Sequence, residues 1–321
     1  MAIKPEIARL TPPNRAANWW AMEHAGIPFP NISPILVEIP LGFMTLPIRW
    51  YALAYIVGLM VGFWLIRRAI DRPSLWAGDT PPLTRKLLDD LLTWMILGVI
   101  LGGRIGHILF YSRGRYEDDP WGMLRVWEGG MSFHGGFLGV VTAAFIFAWR
   151  NQIPYGKLAD ALAIGTPAGL LLGRIANFIN AELWGRPTDL PWGVIFPGHA
   201  AQDCPGVIGD CARHPSQLYE AGLEGLLLLT IILILAFYRG WLKTPWAVNG
   251  IFLTGYGLSR FIVEYFRQAD AQFITPDNPW GYVIQIGEFG MTRGQQLSLP
   301  MIIVGLAVLL YAFRRKKHDP A

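Results

Sequence analysis

The chain has 321 residues, of which 53% are apolar and only 16% charged, against roughly a quarter charged in an average soluble domain. With fourteen Trp, seventeen Phe and a mean hydropathy of +0.34, this composition excludes a disordered chain and an ordinary soluble enzyme. Two Cys cannot staple a fold of this size, and a net charge of +4 is weak evidence for nucleic acid as a partner.

A bilayer core of ~30 Å is crossed by ~20 mostly apolar residues in helical form. An amino-terminal arm, 1–45, comes first. Residues 1–25 lack the basic start and apolar run of a secretory leader. Residues 26–45 are apolar but hold Gly26, Pro28, Pro30, Pro34 and Glu38. Their backbone groups could not be satisfied in lipid, so the segment is predicted to lie at the interface. Seven spans follow, over 46–66, 91–111, 133–149, 158–180, 218–238, 247–267 and 298–313. The predicted fold is all-α, a polytopic integral membrane protein with seven transmembrane helices. Its membrane domain is 46–313, with connections 112–132, 181–217 and 268–297 on one side, and a tail at 314–321.

Lys and Arg set the orientation. The side holding the carboxyl tail carries thirteen of them and the other side ten. Without the two tails and Arg49, the short loops divide nine to six. Every connection on the richer side is basic, and Arg314, Arg315, Lys316 and Lys317 close the chain there. The amino terminus is therefore predicted outside and the carboxyl terminus inside.

Four basic residues lie within the spans: Arg104, Arg174, Arg260 and Arg267. A buried Arg costs at least ~2.5 kcal/mol on insertion scales. The other polar residues gather at the same depth. Arg49 and Tyr51 open the first span, His107 is near the outer end of the second, and His134 starts the third. Arg174, Asn177 and Asn180 occupy the outer half of the fourth, with Glu182 just beyond. Glu220 and Glu224 begin the fifth. In the sixth, Tyr256, Arg260, Glu264 and Arg267 fall at about 0°, 40°, 80° and 20° around a helix turning ~100° per residue. They form one polar stripe, with Arg260 and Glu264 paired at i, i+4. An ion-pair strut between helices is the bland alternative for that stripe, and Arg267 has the option of reaching the outer headgroups. The inner halves are nearly purely apolar.

Gly98, Gly102 and Gly106 recur every four residues and read as a close-packing helix face. His134 stands between Gly129-Gly130 and Gly135-Gly136, where a ligand or backbone can come close. Among several Arg its neutral form is favoured, which suits a base. Between Cys204 and Cys211 a disulfide is expected on an oxidising outer side. A zinc site and two free thiols are the alternatives, although the spacing with His199 and His214 fits no usual zinc pattern. Phosphate-loop, zincin, dinucleotide and GxSxG signatures are not found. A cationic cluster in the outer leaflet, with His and carboxylates, suits an anionic lipid headgroup, because Arg gives forked hydrogen bonds to phosphate.

Four motifs in order carry a specific resemblance: HGG at 134–136, GRIANFINAELWGRP at 173–187, RHPSQLYEA at 213–221 and GLSRFIVEYFR at 257–267, with WYALAYIVG opening the first span. Together the pattern resembles the bacterial prolipoprotein diacylglyceryl transferases over about 45–313. The resemblance implies seven spans with a periplasmic amino terminus, in the bacterial inner membrane. It implies transfer of the diacylglyceryl group of phosphatidylglycerol to the lipobox Cys thiol of a preprolipoprotein signal peptide. A thioether forms and glycerol phosphate leaves, with no cofactor or metal, and the chain is expected to act as a monomer with membrane lipid around it and no nucleic-acid partner. By motif position Arg174 meets the phosphate. Asn177, Glu182, Gly185, Tyr256 and Arg267 fall in substrate-binding positions, and His134, Arg260, Glu264 and Tyr51 in catalytic ones. Ala176 departs from the Gly carried by many members, and the amino-terminal arm is longer than expected.

A free thiol with pKa ≈ 8.5 is only a few per cent thiolate at neutral pH. His134 is the expected base; an Arg cluster that lowers the thiol pKa is the alternative. A lipid carrier or flippase would also hold Arg and Glu in the membrane, but would carry polar groups through both leaflets. A scaffold glued by ion pairs leaves the single-leaflet clustering unexplained.

Overall fold

The computed structural model describes residues 26–318 apart from 41, 43–44, 113–118, 126–128, 205–206, 208 and 288. Residues 1–25 of the arm, Arg113 and Arg115, the Pro205-Gly206 turn and the last three residues of the tail lie outside the described residues. Each predicted span contains a helix. They are α1 (Trp50–Ile70), α2 (Arg85–Tyr111), α3 (Phe133–Arg150), α4 (Tyr155–Ile179), a composite of α6 (Ser216–Glu220), a π segment (Ala221–Leu227) and α7 (Leu228–Phe237), then α8 (Ala247–Val263) and α9 (Arg293–His318). A short α5 (His199–Gln202) lies in the 181–217 loop. Six of these helical stretches are long and apolar enough to cross a membrane, and α8, with 17 residues, is apolar but shorter.

The helix limits differ from the predicted ones for identifiable reasons. Residues 45–49 are not helical. Pro47 has no amide hydrogen and biases Leu46 towards extended backbone, and the segment is strand β3 (Thr45–Arg49), antiparallel to β2 (Ile35–Pro40) with Glu38 opposite Pro47. The 26–45 segment thus satisfies much of its backbone in a hairpin whose Leu36, Val37, Ile39 and Leu46 remain exposed. β1 (Ile27–Pro28) pairs in parallel with β4 (Val194–Ile195). A second hairpin, β5 (Tyr282–Ile286) with β6 (Phe289–Thr292), occupies the 268–297 connection. Thr292 then caps α9, its Oγ1 accepting from Gln295 N at 3.3 Å, so this helix starts five residues before the predicted span. α8 ends at Val263 although the sequence there holds no Gly or Pro. Beyond it Arg186 N donates to Phe266 O at 2.9 Å, and Arg267 forms an antiparallel bridge with Gly185. Tertiary pairing ends the helix, so Glu264 is its C-cap and Arg267 lies outside it.

Small residues bring the helices together, as expected where lipid supplies no hydrophobic drive. Gly98, Gly102 and Gly106 of α2 face Gly135 and Gly139 of α3; a Cβ at Gly102 would sit 2.8 Å from the Cα of Gly139. α1 and α4 meet likewise through Gly58 and Gly62 against Gly169 and Gly165. The main core includes Leu65, Ile66, Trp76, Leu91, Phe147, Ile164 and Ile232. A smaller one, Val194, Phe196 and Ala201 with Phe29, Phe178 and Trp184, seats the 181–217 loop over the end of α4.

One acid interrupts the tail-side half, which the sequence reads as nearly purely apolar. Asp160 of α4 is fully buried and accepts from Trp246 N and Asn249 N, both at 2.7 Å. It caps the first turn of α8, where Trp246 itself adopts φ 78°. Lys157 Nζ donates to Ala77 O and Thr80 O, each at 2.7 Å, tying down the connection between α1 and α2.

Candidate functional site

At the opposite end of the bundle, α4 presents Arg174, α6 and the π segment present Glu220 and Glu224, and α8 with the residues after it presents Tyr256, Arg260, Glu264 and Arg267. These side chains form one network. Arg174 Nη1 lies 3.0 Å from Glu220 Oε2 and its Nη2 lies 3.3 Å from Glu224 Oε2. Arg260 Nη1 lies 2.8 Å from Glu220 Oε1, and its Nη2 lies 2.9 Å from Glu264 Oε2. Arg267 Nη1 completes it, 3.7 Å from Glu220 Oε1.

The π segment explains how one guanidinium meets two carboxylates. Its wider i→i+5 winding rotates less per residue than an α-helix, bringing side chains four apart towards alignment. Glu220 and Glu224 therefore reach the two arms of the Arg174 fork. A Cβ at Gly225 would lie 2.6 Å from Leu171 Cα, so this glycine lets the π segment press on α4.

Exposure is asymmetric. The Arg side chains are 17% (Arg174), 16% (Arg260) and 18% (Arg267) accessible, whereas Glu220, Glu224 and Glu264 are 1%, 0% and 8%. The carboxylates are thus more deeply buried than the Arg side chains they pair with. Thr292 Oγ1 donates to Glu264 Oε1 at 3.1 Å, and Gly294 leaves no room there for a Cβ. Such an arrangement preorganises forked donors towards an anion.

The other predicted residues are placed as follows. Asn177 Nδ2 donates to Glu182 Oε1 at 2.7 Å, with Asn180 Nδ2 at 3.5 Å from the same oxygen. Tyr51 shares a 2.7 Å hydrogen bond with Tyr55 and is within electrostatic reach of Glu182 and Arg174. Tyr256 is within reach of Glu224, Arg174 and Arg260. At Gly185 the chain passes so close to His214 and Phe266 that a Cβ would lie 2.7 Å from His214 Cβ; its role is backbone approach. Arg267 turns into the network and does not reach outwards for headgroups. His134 is exposed in the first turn of α3, its ring against Phe133, and is not brought into contact with the network. Arg104 is also apart from it. Its guanidinium is buried against the loop before α3, donating to Met123 O at 2.8 Å and to Gly122 O and Gly129 O at 2.6 Å. That Arg organises a loop, so the expected six-helix polar gathering is in part structural. His107 pairs with Ser112 at 2.8 Å.

Glu220 and Glu224 carry the network, yet the sequence marks them only as two acids at the start of the most apolar span. Thr292 and Gly294 carry no signal in the sequence. Around the network, Cys204 and Cys211 are joined by a disulfide, which overturns the zinc and free-thiol alternatives. Arg213 donates to Asp203 O at 2.9 Å and Gly185 O at 3.2 Å and stacks on Trp184. Arg186 Nε donates to Arg267 O at 2.8 Å. Burial, then the Arg186 charge, pushes His214 below its ordinary imidazole range.

A family profile described as prolipoprotein diacylglyceryl transferase matches residues 34–311, most of the chain. The chain belongs to the prolipoprotein diacylglyceryl transferase family. The phosphatidylglycerol–prolipoprotein diacylglyceryl transferase of Roseobacter denitrificans is 58% identical over 288 residues, covering 90% of this chain and 98% of the relative. The enzyme of the same name from Cereibacter sphaeroides is 59% identical over 288 residues, with the same coverage. That of Rhizobium leguminosarum bv. trifolii is 47% identical over 289 residues, covering 90% and 95%. The diacylglyceryl transferase resemblance read from the motifs is thereby confirmed over residues 34–311.

Proposed function

We propose that this chain transfers the diacylglyceryl group of phosphatidylglycerol to the lipobox Cys thiol of a preprolipoprotein signal peptide; its relatives are named phosphatidylglycerol–prolipoprotein diacylglyceryl transferases. The thiol sulfur bonds to the glyceryl carbon, the carbon–oxygen bond to phosphate breaks, and glycerol phosphate leaves with the electron pair. The observation that carries this reading is the pair Arg174 and Arg260, partly accessible and sharing the buried Glu220. In this reading Arg174 and Arg260 hold the phosphate, and oriented guanidinium charge stabilises it as it departs. Glu264 and Arg267 fix Arg260 and Glu220, while Asn177, Glu182, Gly185, Tyr51 and Tyr256 shape the headgroup and thiol side. His134 is the base, reaching the thiol of a peptide that lies between α3 and the network.

In the same reading α8 and the turn after it make the seventh span. The amino terminus is periplasmic, the tail cytoplasmic, and the chain a monomer in the inner membrane that needs no cofactor. A carrier would use polar groups along both halves of the bundle; Asp160 is instead committed to backbone amides of α8. The test is complementation. In a bacterium depleted of its own transferase, the chain should restore growth and diacylglyceryl modification of a reporter lipoprotein. Growth without that modification, or neither, contradicts the reading.

A further inference from the structure

With all six groups ionised the network is neutral, Arg174, Arg260 and Arg267 facing Glu220, Glu224 and Glu264. Its carboxylates are not held equally. Glu220 lies within 3.7 Å of all three Arg. Glu264 has Arg260 and the Thr292 hydroxyl. Glu224 is fully buried, meets Arg174 at 3.3 Å through Oε2, and has no hydrogen-bond partner for Oε1 among the described residues.

On the reading of this network as a phosphatidylglycerol site, its ligand is a phosphodiester, an anion throughout the working pH range. Bound to Arg174, the phosphodiester competes with Glu224 for one guanidinium. Four anions would then face three cations, with the carboxylates buried. Buried groups in that position shed the charge instead of keeping it.

We propose that Glu224 takes up one proton from water, on Oε1, when the phosphodiester of phosphatidylglycerol binds Arg174. Lipid binding at this site is therefore linked to a proton. The groups facing Glu224 are Arg174 from α4, Glu220 from α6, and Tyr256 and Arg260 from α8; α7 supplies no titratable side chain. Guanidinium groups do not titrate in this range, Glu220 is shared among three Arg and keeps Arg267 even where Arg260 also meets the phosphate, and a phenol ordinarily titrates near ~10. Glu224 is the member whose one ion pair among the described residues is with Arg174, the guanidinium the phosphodiester engages.

The test uses the full chain in phosphatidylcholine nanodiscs, titrated calorimetrically with dihexanoyl phosphatidylglycerol in two buffers of different ionisation enthalpy. Between about pH 8 and about pH 9, one linked proton raises the dissociation constant about tenfold, with close to one proton taken up per lipid. Glu224→Gln should bind with no proton uptake and with a flat pH dependence. Wild-type binding without proton uptake overturns the inference and leaves the site reading intact. A Glu224→Gln variant that keeps the slope assigns the proton elsewhere and also overturns it. If that variant does not fold, the wild-type proton count decides alone. Absence of binding by the wild type overturns both the inference and the site reading.

Discussion

Replacing Glu220 with Gln removes one charge and almost no volume from the centre of the network. The carboxylate lies 2.8 Å from Arg260, 3.0 Å from Arg174 and 3.7 Å from Arg267. At an effective dielectric of ~20, charges ~4 Å apart interact by about 4 kcal/mol each. Desolvation of Glu220 opposes much of that sum, and taking one partner from a buried ion pair typically costs about 3–5 kcal/mol. The Gln amide keeps one acceptor oxygen but leaves a net positive cluster, in which Arg174 and Arg260 repel across the position they shared. Stability in nanodiscs should therefore fall by about 3–5 kcal/mol, read from the thermal loss of folded protein. Transfer to a lipobox peptide should fall by about 10²-fold in kcat/KM, the scale of losing one oriented charge donor. The exposed pair Arg85–Asp71, at 2.8 Å, is the control; Asp71→Asn should leave stability and transfer unchanged. A Glu220→Gln protein that unfolds with the wild type and transfers within about threefold of it would refute the network as the organiser of the site.

Arg174→Lys keeps the charge and loses the fork that spans Glu220 and Glu224. Transfer should drop at least about tenfold while the chain still inserts; wild-type turnover would show that a point charge suffices. Gly102→Leu drives a side chain into the backbone of α3, and should cost about 1–3 kcal/mol by overpacking; an unshifted melting temperature would contradict the packing assigned to that face. Asp160→Ala leaves two buried backbone N–H groups of the α8 start without acceptors, at about 1–3 kcal/mol each, and Asp160→Asn should recover part of it. His214 is held below its ordinary range by burial and by Arg186. The unfolded chain then binds the proton more readily, so this contribution is present above about pH 6.5 and is lost as pH falls below it. The melting temperature of His214→Gln should vary less than that of the wild type between about pH 7 and about pH 5.5; equal slopes would argue against a buried neutral imidazole.

Apolar run length locates the helices, because a backbone that must satisfy itself in lipid leaves few options. It does not locate their ends where tertiary pairing decides, as after Val263, nor where a Thr292 cap extends α9 past the apolar run. The glycine face of α2 is legible from its spacing, and α3 supplies the complementary Gly135 and Gly139. The helical period places Arg260 and Tyr256 on one stripe, but four-residue spacing alone does not reveal that a π segment aligns Glu220 and Glu224. Arg104 looks like a member of the charged cluster because depth is visible in a sequence and azimuth around the bundle is not. Asp160 is hidden for a related reason. A single acid near a helix start gives no sign that it caps another helix 86 residues away. The hairpins of 35–49 and 282–292 are short, and their Pro and Gly content reads as loop.

The reaction itself is open to direct measurement, with the purified chain reconstituted in nanodiscs alongside phosphatidylglycerol and a peptide containing a lipobox Cys. The peptide is followed by mass spectrometry and released glycerol phosphate is assayed in parallel. We expect a diacylglyceryl mass gain on the Cys, matched one to one by glycerol phosphate and lost in Arg174→Ala. Folded protein that binds phosphatidylglycerol yet yields neither product would contradict the proposed transfer.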